Sequence, residues 1–204
     1  MNRQISGNAK GSIFIHIRDY IIKVYGVEIW GEILNRLSQS DRDIFGGQLN
    51  KHGWYSAPVI NRLINIYDNM FGDGDFKSIV PIVEYIAQQD LAPVFDIFVN
   101  LSPFFVLSSA PSLWKRYFDT GEVRVEVADE ANRHFRLVLE EIADENSVSG
   151  RAICTYANPT WLRIALIMAG AETVTMSHVE CRYKNATSCV LDIWWNNITP
   201  KDRK

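Results

Sequence analysis

The chain has 204 residues, 47% of which are hydrophobic, and a formal net charge of −3. This length and composition favour a single globular domain with a sizeable core, predicted over residues 11–196 between tails at residues 1–10 and 197–204. The weakly acidic balance, without a run of lysine or arginine, argues against nucleic acid as a partner.

The cysteines and the amino-terminal residues predict where the protein is found. Three cysteines cannot all pair in disulfides, and residues 1–10 lack the apolar core of a signal peptide. The most apolar stretch, residues 91–107, is interrupted by Asp96, Asn100 and Pro103 and is too short to span a bilayer. We therefore expect a cytoplasmic protein without a membrane span.

The amino-terminal part of the chain is predicted to be helical. Its apolar residues recur at intervals of three or four, and Gly26 separates the first helix from the second. Ser56 as a cap and Pro58 in the first turn indicate the start of a third helix. The predicted helices span residues 13–24, 27–37, 56–72 and 76–89, with shorter pieces in residues 91–117 and a loop at residues 38–54.

Aromatic residues are concentrated in the last of these helical pieces. Ligand pockets are concave and largely apolar or aromatic, so a cavity that holds a small apolar ligand is one interpretation of this concentration. Ordinary packing of a hydrophobic core is the alternative. The candidate pocket residues are Phe95, Phe98, Phe104, Phe105, Trp114, Tyr117 and Trp161.

Beyond Gly121 the hydrophobic pattern changes to the alternation that is typical of strands. A helix between two hairpins is expected to contain Cys154 and to be broken at Asn158 and Pro159. Helices followed by antiparallel hairpins with one crossing helix imply an α+β fold. The first hairpin is predicted at residues 122–127 and 134–142, the helix at residues 147–170, and the second hairpin at residues 172–183 and 188–195 around a turn at residues 184–187.

A candidate metal site uses all three cysteines. The second hairpin brings Cys181 and Cys189 together across its turn, and His178 precedes Cys181 by three residues. Residues three apart face opposite sides of a regular strand, so a bulge near Glu180 is required for both to bind one metal ion. With Cys154 they form a Cys₃His set, typical of structural Zn²⁺ and without an open position for a substrate. Three thiols buried in an apolar core are the alternative.

This order of a helical cysteine followed by a hairpin with ligand-x₂-Cys-x₇-Cys resembles the vinyl-reductase-type domain of bacterial phenol-responsive transcriptional activators. That family has glutamate where this chain has His178, and Glu180 is the alternative fourth ligand if the register differs. Residues 11–37 resemble the opening of the related haem nitric-oxide/oxygen-binding (H-NOX) domains. The resemblance implies this superfamily's architecture, a ligand cavity between the helices and the sheet, and a homodimer whose interface we expect at residues 11–37.

These features together predict a sensory or regulatory domain that binds a small apolar ligand and contacts an unidentified signalling protein. Because neither a nucleophile–base pair nor a phosphate loop is recognisable, we do not expect an enzyme. An adaptor module without a ligand is one alternative. A haem-based gas sensor of H-NOX type is another, but residues 100–107 contain no axial histidine and the tyrosine-x-serine-x-arginine haem signature is missing, so haem is not expected.

Overall fold

Helices form most of the structure before Gly121, as the periodicity predicts. The computed structural model describes residues 7–140 and 150–198 of the chain. Gly26 has a φ of 90°, a backbone conformation that favours glycine, and it lets the chain turn between the first two helices. In chain order the elements are β1 (Asn8–Lys10), α1 (Gly11–Tyr25), α2 (Val27–Arg36), α3 (Gln39–Gly46), β2 (Trp54–Ser56), α4 (Pro58–Phe71), α5 (Val80–Leu91), α6 (Phe95–Phe98), α7 (Pro103–Ser108) and α8 (Ala110–Tyr117).

The segment predicted to be a loop, residues 38–54, contains helix α3, so that prediction is wrong for its first half. The Ser38 hydroxyl accepts a hydrogen bond from the Asp41 backbone N–H and caps the helix. The buried Asp41 carboxylate accepts two hydrogen bonds of 2.7 Å from the Arg62 guanidinium of α4. A polar cap and an ion pair to a distant helix therefore stabilise α3. Neither feature can be recognised from the hydrophobic periodicity of the sequence.

The two short strands change two of the predicted boundaries. β1 pairs antiparallel with β2, so part of the predicted amino-terminal tail belongs to the fold. Asn8 in β1 also donates from its backbone and side-chain N–H groups to the Asp119 carboxylate, at 2.6 and 2.8 Å. Ser56 lies in β2 and makes no cap for α4, contrary to the prediction, whereas Pro58 occupies the first turn as predicted.

The main sheet joins the two predicted hairpins. Its strand order is β3-β4-β6-β5 with antiparallel neighbours, so the central strands β4 and β6 come one from each hairpin. Residues 141–142 of the predicted first hairpin and residues 147–149 of the predicted helix lie outside the described residues. The strands are β3 (Glu122–Asp129), β4 (His134–Glu140), β5 (Ala171–Glu180) and β6 (Cys189–Ile198), and β6 extends into the predicted carboxy-terminal tail.

One helical stretch crosses between the hairpins. It begins as α9 (Gly150–Ala152), widens into a π-helical segment (Ile153–Ala157) and continues as α10 (Asn158–Met168). In an α-helix the proline ring clashes with the carbonyl group four residues earlier, here that of Thr155. The wider π turn before Pro159 accommodates the ring, so the predicted break is a change of helical pitch rather than an interruption.

Two buried clusters form the core. One is enclosed by α1, α2, α4 and α5 around Phe14, Ile21 and Leu63. The other lies between the main sheet and helices α8 and α10, around Phe135 and Leu166. The predicted α+β class is thus confirmed. Within the described ranges, no helix has both the length and the apolar character that crossing a membrane requires.

Candidate metal centre and apolar cavity

Four potential metal ligands converge where the π-helical segment faces the second hairpin. The Sγ atoms of Cys154, Cys181 and Cys189 and one ring nitrogen of His178 all lie within 4.8 Å of one another. All three cysteines are buried. These are the four residues that the sequence predicts as a metal site, and the fold brings every one of them to a single point.

A bulge at the end of β5 makes this convergence possible. His178 pairs with Leu191 of β6, whereas Glu180 pairs with Val190, so the register shifts by one residue between them. His178 therefore faces the same side of the sheet as Leu191 and Cys189, and the predicted bulge near Glu180 is confirmed. Glu180 itself is exposed and is not part of the four-residue group.

The turn of the second hairpin fixes the position of Cys181. Arg182–Lys184 form a single 3₁₀ turn, and Asn185 has a φ of 69°, the left-handed conformation that asparagine tolerates. The Cys181 carbonyl oxygen accepts hydrogen bonds from the backbone N–H groups of Lys184 (2.8 Å) and Ala186 (3.2 Å). The predicted turn sequence thus holds the backbone of a candidate ligand.

The chemistry of the four side chains fits a bound Zn²⁺ ion. Thiolates about 2.3 Å from Zn²⁺ in a tetrahedron stand roughly 3.8 Å apart, and the Cys154 and Cys181 sulfur atoms are 3.9 Å apart. The hydrogen bond with Cys154, aided by His178, lowers the pKa of Cys189, and the same hydrogen bond together with burial raises the pKa of Cys154. The His178 Nε2 atom is buried without a hydrogen-bond partner among the described residues, and a bound ion is one of the ways in which such a buried polar group is satisfied.

An apolar cavity of about 160 Å³ lies between the helices and the main sheet. It adjoins the four-ligand cluster, because Ile153 lines the cavity and precedes Cys154, and Leu191 lines it and pairs with His178. Sequence reasoning missed the aliphatic part of the wall, although its members occur in pairs four residues apart, an interval that places both on one helix face. This part includes Ile13, Ile17, Ile60, Ile64, Ile82 and Ile86.

Three of the predicted pocket aromatics, Trp114, Tyr117 and Trp161, line the cavity. Trp114 stacks on Phe118 with ring centroids 4.3 Å apart, and its indole N–H donates to the Thr120 carbonyl oxygen at 3.0 Å. Tyr117 meets Trp161 edge-on at 6.1 Å. These contacts hold the aromatic rings in fixed orientations along one side of the cavity.

The predicted pocket residues of α6 and α7 are placed differently. Phe104 packs edge-on against Phe135 of the sheet, with centroids 5.2 Å apart, and Phe105 is 53% exposed. Neither residue lines the cavity. Adjacent positions of a helix point about 100° apart, so in the six-residue helix α7 Phe104 turns towards the sheet and Phe105 turns towards solvent. The side chains of Phe95 and Phe98 lie outside the described part of the structure.

The positions of the histidines help to decide whether this cavity suits haem. Haem iron usually needs an axial histidine, cysteine, methionine or tyrosine. Among the described lining residues there is no histidine or cysteine. His178 belongs to the four-ligand cluster, His52 is exposed, and His134 is 3.0 Å from the Asp192 carboxylate. His16 approaches the cavity indirectly, with its Nε2 atom 3.5 Å from the carboxylate of the lining residue Asp90.

Comparison with known proteins identifies the fold. No protein-family model and no curated protein matches the chain. An H-NOX protein from S. oneidensis in the Fe(II)NO state is similar in structure, with a TM-score of 0.67 and 15% identity over 92% of this chain and 99% of that chain. The Fe(II) unliganded H-NOX protein from K. algicida has a TM-score of 0.65 and 13% identity over 92% and 97%. The chain therefore has an H-NOX-like fold.

Proposed function

We propose that this chain is a non-enzymatic sensory or regulatory domain. A small apolar ligand would occupy the cavity, and Zn²⁺ would be held by Cys154, His178, Cys181 and Cys189. The observation that carries the proposal is an apolar cavity whose wall is continuous with a cluster of four metal-binding side chains. The H-NOX proteins with a similar fold also support a domain that responds to a small molecule.

The size of the cavity limits its ligand. An engineered apolar cavity of about 150 Å³ in another protein stays dry and binds benzene, and the cavity here is of about 160 Å³. We therefore expect a ligand with one ring or a branched alkyl group. Such a ligand would act as a signal only by binding two conformations with different affinity.

The role proposed for zinc is structural. Three thiolates and one imidazole complete a tetrahedral shell, which leaves no position for a substrate or an activated water molecule. The ion would connect the π-helical segment to both strands of the second hairpin. Since the sulfur atoms are buried, they are also poorly placed to attack a substrate directly.

The output is proposed to be a protein contact, with a homodimer formed through residues 11–37. Within that segment Phe14, Ile21 and Ile33 are fully buried in the core. The exposed apolar residues are Val24 (51%) and Val27 (61%), on either side of the turn between α1 and α2. The proposed interface is therefore centred on that turn.

A haem-based gas sensor is the second candidate, because the proteins with a similar fold are described as Fe(II) H-NOX proteins. The residues present do not fit haem well. Pockets for drug-sized ligands occupy about 300–1,000 Å³, whereas this cavity measures about 160 Å³. Tyr117 is the one aromatic hydroxyl in the described lining, and no histidine lines the cavity there.

Native mass spectrometry of the freshly purified protein, with an absorbance spectrum of the same sample, tests the proposal. We expect one zinc ion per chain, binding of added toluene, and no Soret band. A Soret band would favour the haem sensor. A zinc-loaded protein that takes up neither toluene nor any similar small apolar molecule would favour an adaptor module, and a protein without zinc would refute the metal site.

A further inference from the structure

Among the described residues that line the apolar cavity, one carries a charged side chain. Asp90, near the end of α5, lines the cavity and its side chain is only 8% exposed. Its Oδ2 atom is buried and has no hydrogen-bond partner among the residues described. Buried polar atoms are nearly always paired, since an unpaired one loses its interactions with water and gains nothing in return.

The neighbours of Asp90 do not satisfy this oxygen atom. His16 approaches the other carboxylate oxygen, Oδ1, and the 3.5 Å separation is long for a hydrogen bond. Burial raises the pKa of the Tyr117 hydroxyl, and so do the negative charge of Asp90 and a hydrogen bond to its carboxylate. The Oδ2 atom nevertheless has no partner within hydrogen-bond distance among the residues described. A donor that entered the cavity would therefore find an acceptor ready at Oδ2.

The aromatic part of the wall adds a second feature that attracts cations. Trp114, Tyr117, Phe118 and Trp161 all line the cavity that Asp90 faces. The faces of such rings carry negative charge density, and they attract ammonium groups most strongly where water is excluded. A carboxylate beside several aromatic rings is a chemical environment suited to an organic ammonium ion.

We propose, on the basis of the ligand-binding function proposed above, that the ligand is a small apolar amine in its protonated form. Its ammonium group donates to Asp90 Oδ2, and its ring or alkyl group fills the aliphatic part of the cavity. Asn158 also lines the cavity with its Nδ2 atom unpartnered. Because an amide can present either its nitrogen or its oxygen atom, Asn158 does not discriminate between donors and acceptors on the ligand.

Calorimetric titration of the zinc-loaded full chain with benzylamine, benzyl alcohol and toluene tests this. These probes share a ring and differ in charge and in hydrogen-bonding capacity. We expect benzylamine to bind at least about tenfold more tightly than either neutral probe, because a hydrogen bond to a charged group is stronger than a neutral one. Asp90→Asn keeps the shape of the side chain, and it should reduce the affinity for benzylamine about tenfold or more while changing that for toluene less than about threefold.

Each other outcome has a distinct meaning. Toluene or benzyl alcohol binding as tightly as benzylamine to the wild-type protein would overturn the amine proposal and leave the ligand-binding function intact. Benzylamine binding equally well to Asp90→Asn would overturn it too, provided that this variant retains zinc and its unfolding temperature. Should none of the three probes bind, both the amine proposal and the proposed function fail. The wild-type comparison stands even if the variant does not fold.

Discussion

Ile153 and Cys154 are consecutive residues, yet the first lines the apolar cavity and the second contributes its sulfur to the four-ligand cluster. Both belong to the π-helical segment, so a shift of that short stretch of backbone moves a wall of the cavity and a metal ligand together. Metal binding and ligand binding should therefore depend on each other, and such a dependence is reciprocal.

Removal of zinc should lower both the stability of the fold and the affinity of the cavity for its ligand. We expect a strong chelator to lower the unfolding temperature by about 5 °C or more, because structural metal binding contributes directly to folding free energy. Toluene affinity should fall in the same sample. Cys189→Ser should already show the lower unfolding temperature and should not respond to the chelator. Ser188→Ala, one residue away, serves as the control and should retain zinc.

His178 is expected to be the fourth ligand. His178→Ala should lose zinc to a competing chelator faster than the wild-type protein, because one position of the tetrahedron is opened. His178→Glu should retain zinc, since a carboxylate oxygen is an accepted ligand. Glu180→Ala should behave like the wild type, because Glu180 is exposed outside the cluster. Rapid loss of zinc from Glu180→Ala would contradict this assignment.

The two aromatic residues Trp114 and Phe105 should respond differently to truncation. Trp114→Ala removes a cavity wall and an indole hydrogen bond. It should weaken toluene binding and lower the free energy of unfolding by about 3 kcal/mol or more. Phe105→Ala should leave binding unchanged, because that side chain is 53% exposed and lies away from the cavity. Equal binding by both variants would indicate ordinary core packing around Trp114.

The ion pair that stabilises α3 should make the stability sensitive to acid. The hydrogen bonds from Arg62 outweigh burial and lower the pKa of Asp41. The contribution of the Asp41–Arg62 ion pair to the free energy of unfolding is therefore complete above the unfolded pKa of Asp41, about 3.9. It is lost as the pH falls through the lower pKa of Asp41 in the folded protein.

Urea unfolding of Asp41→Asn between pH 3 and pH 7 measures this contribution. The variant should be less stable than the wild type by about 1–3 kcal/mol at neutral pH, and the two should converge below about pH 4. Asp43→Asn changes an exposed carboxylate on the same helix and should shift stability by less than about 0.5 kcal/mol. A difference between Asp41→Asn and wild type that persists unchanged at pH 3 would refute the role of the pair.

The proposed dimer can be tested at the turn between α1 and α2. Val27→Glu should shift the sedimentation behaviour from dimer to monomer, because a charge would be buried in an apolar contact. Ile97→Glu provides the control, since Ile97 is equally exposed at 61% but lies on α6. Dissociation by Ile97→Glu alone, or a monomeric wild-type protein, would contradict the proposed interface.

The hairpin part of the four-ligand cluster could be predicted because its geometry is set locally, whereas the position of Cys154 depends on how the crossing helix packs. Alternation, the turn sequence and the three-residue spacing of His178 and Cys181 together require a hairpin with a bulge, and the structure has both. The wall of the cavity could be predicted only in part, because it depends on how distant helices pack. Helix α7 illustrates the limit: with six residues its periodicity cannot establish which of Phe104 and Phe105 faces inwards.

The pairing of β1 has a practical consequence for anyone who shortens this protein. Its three residues are too few to show alternation, so the sequence alone makes residues 1–10 look dispensable. Yet the strand links the start of α4, through β2, to the end of α8, through Asn8 and Asp119. Both helices contribute to the wall of the cavity. A truncated protein that starts at Gly11 would lack this link, and weak ligand binding measured on it would reflect the missing strand.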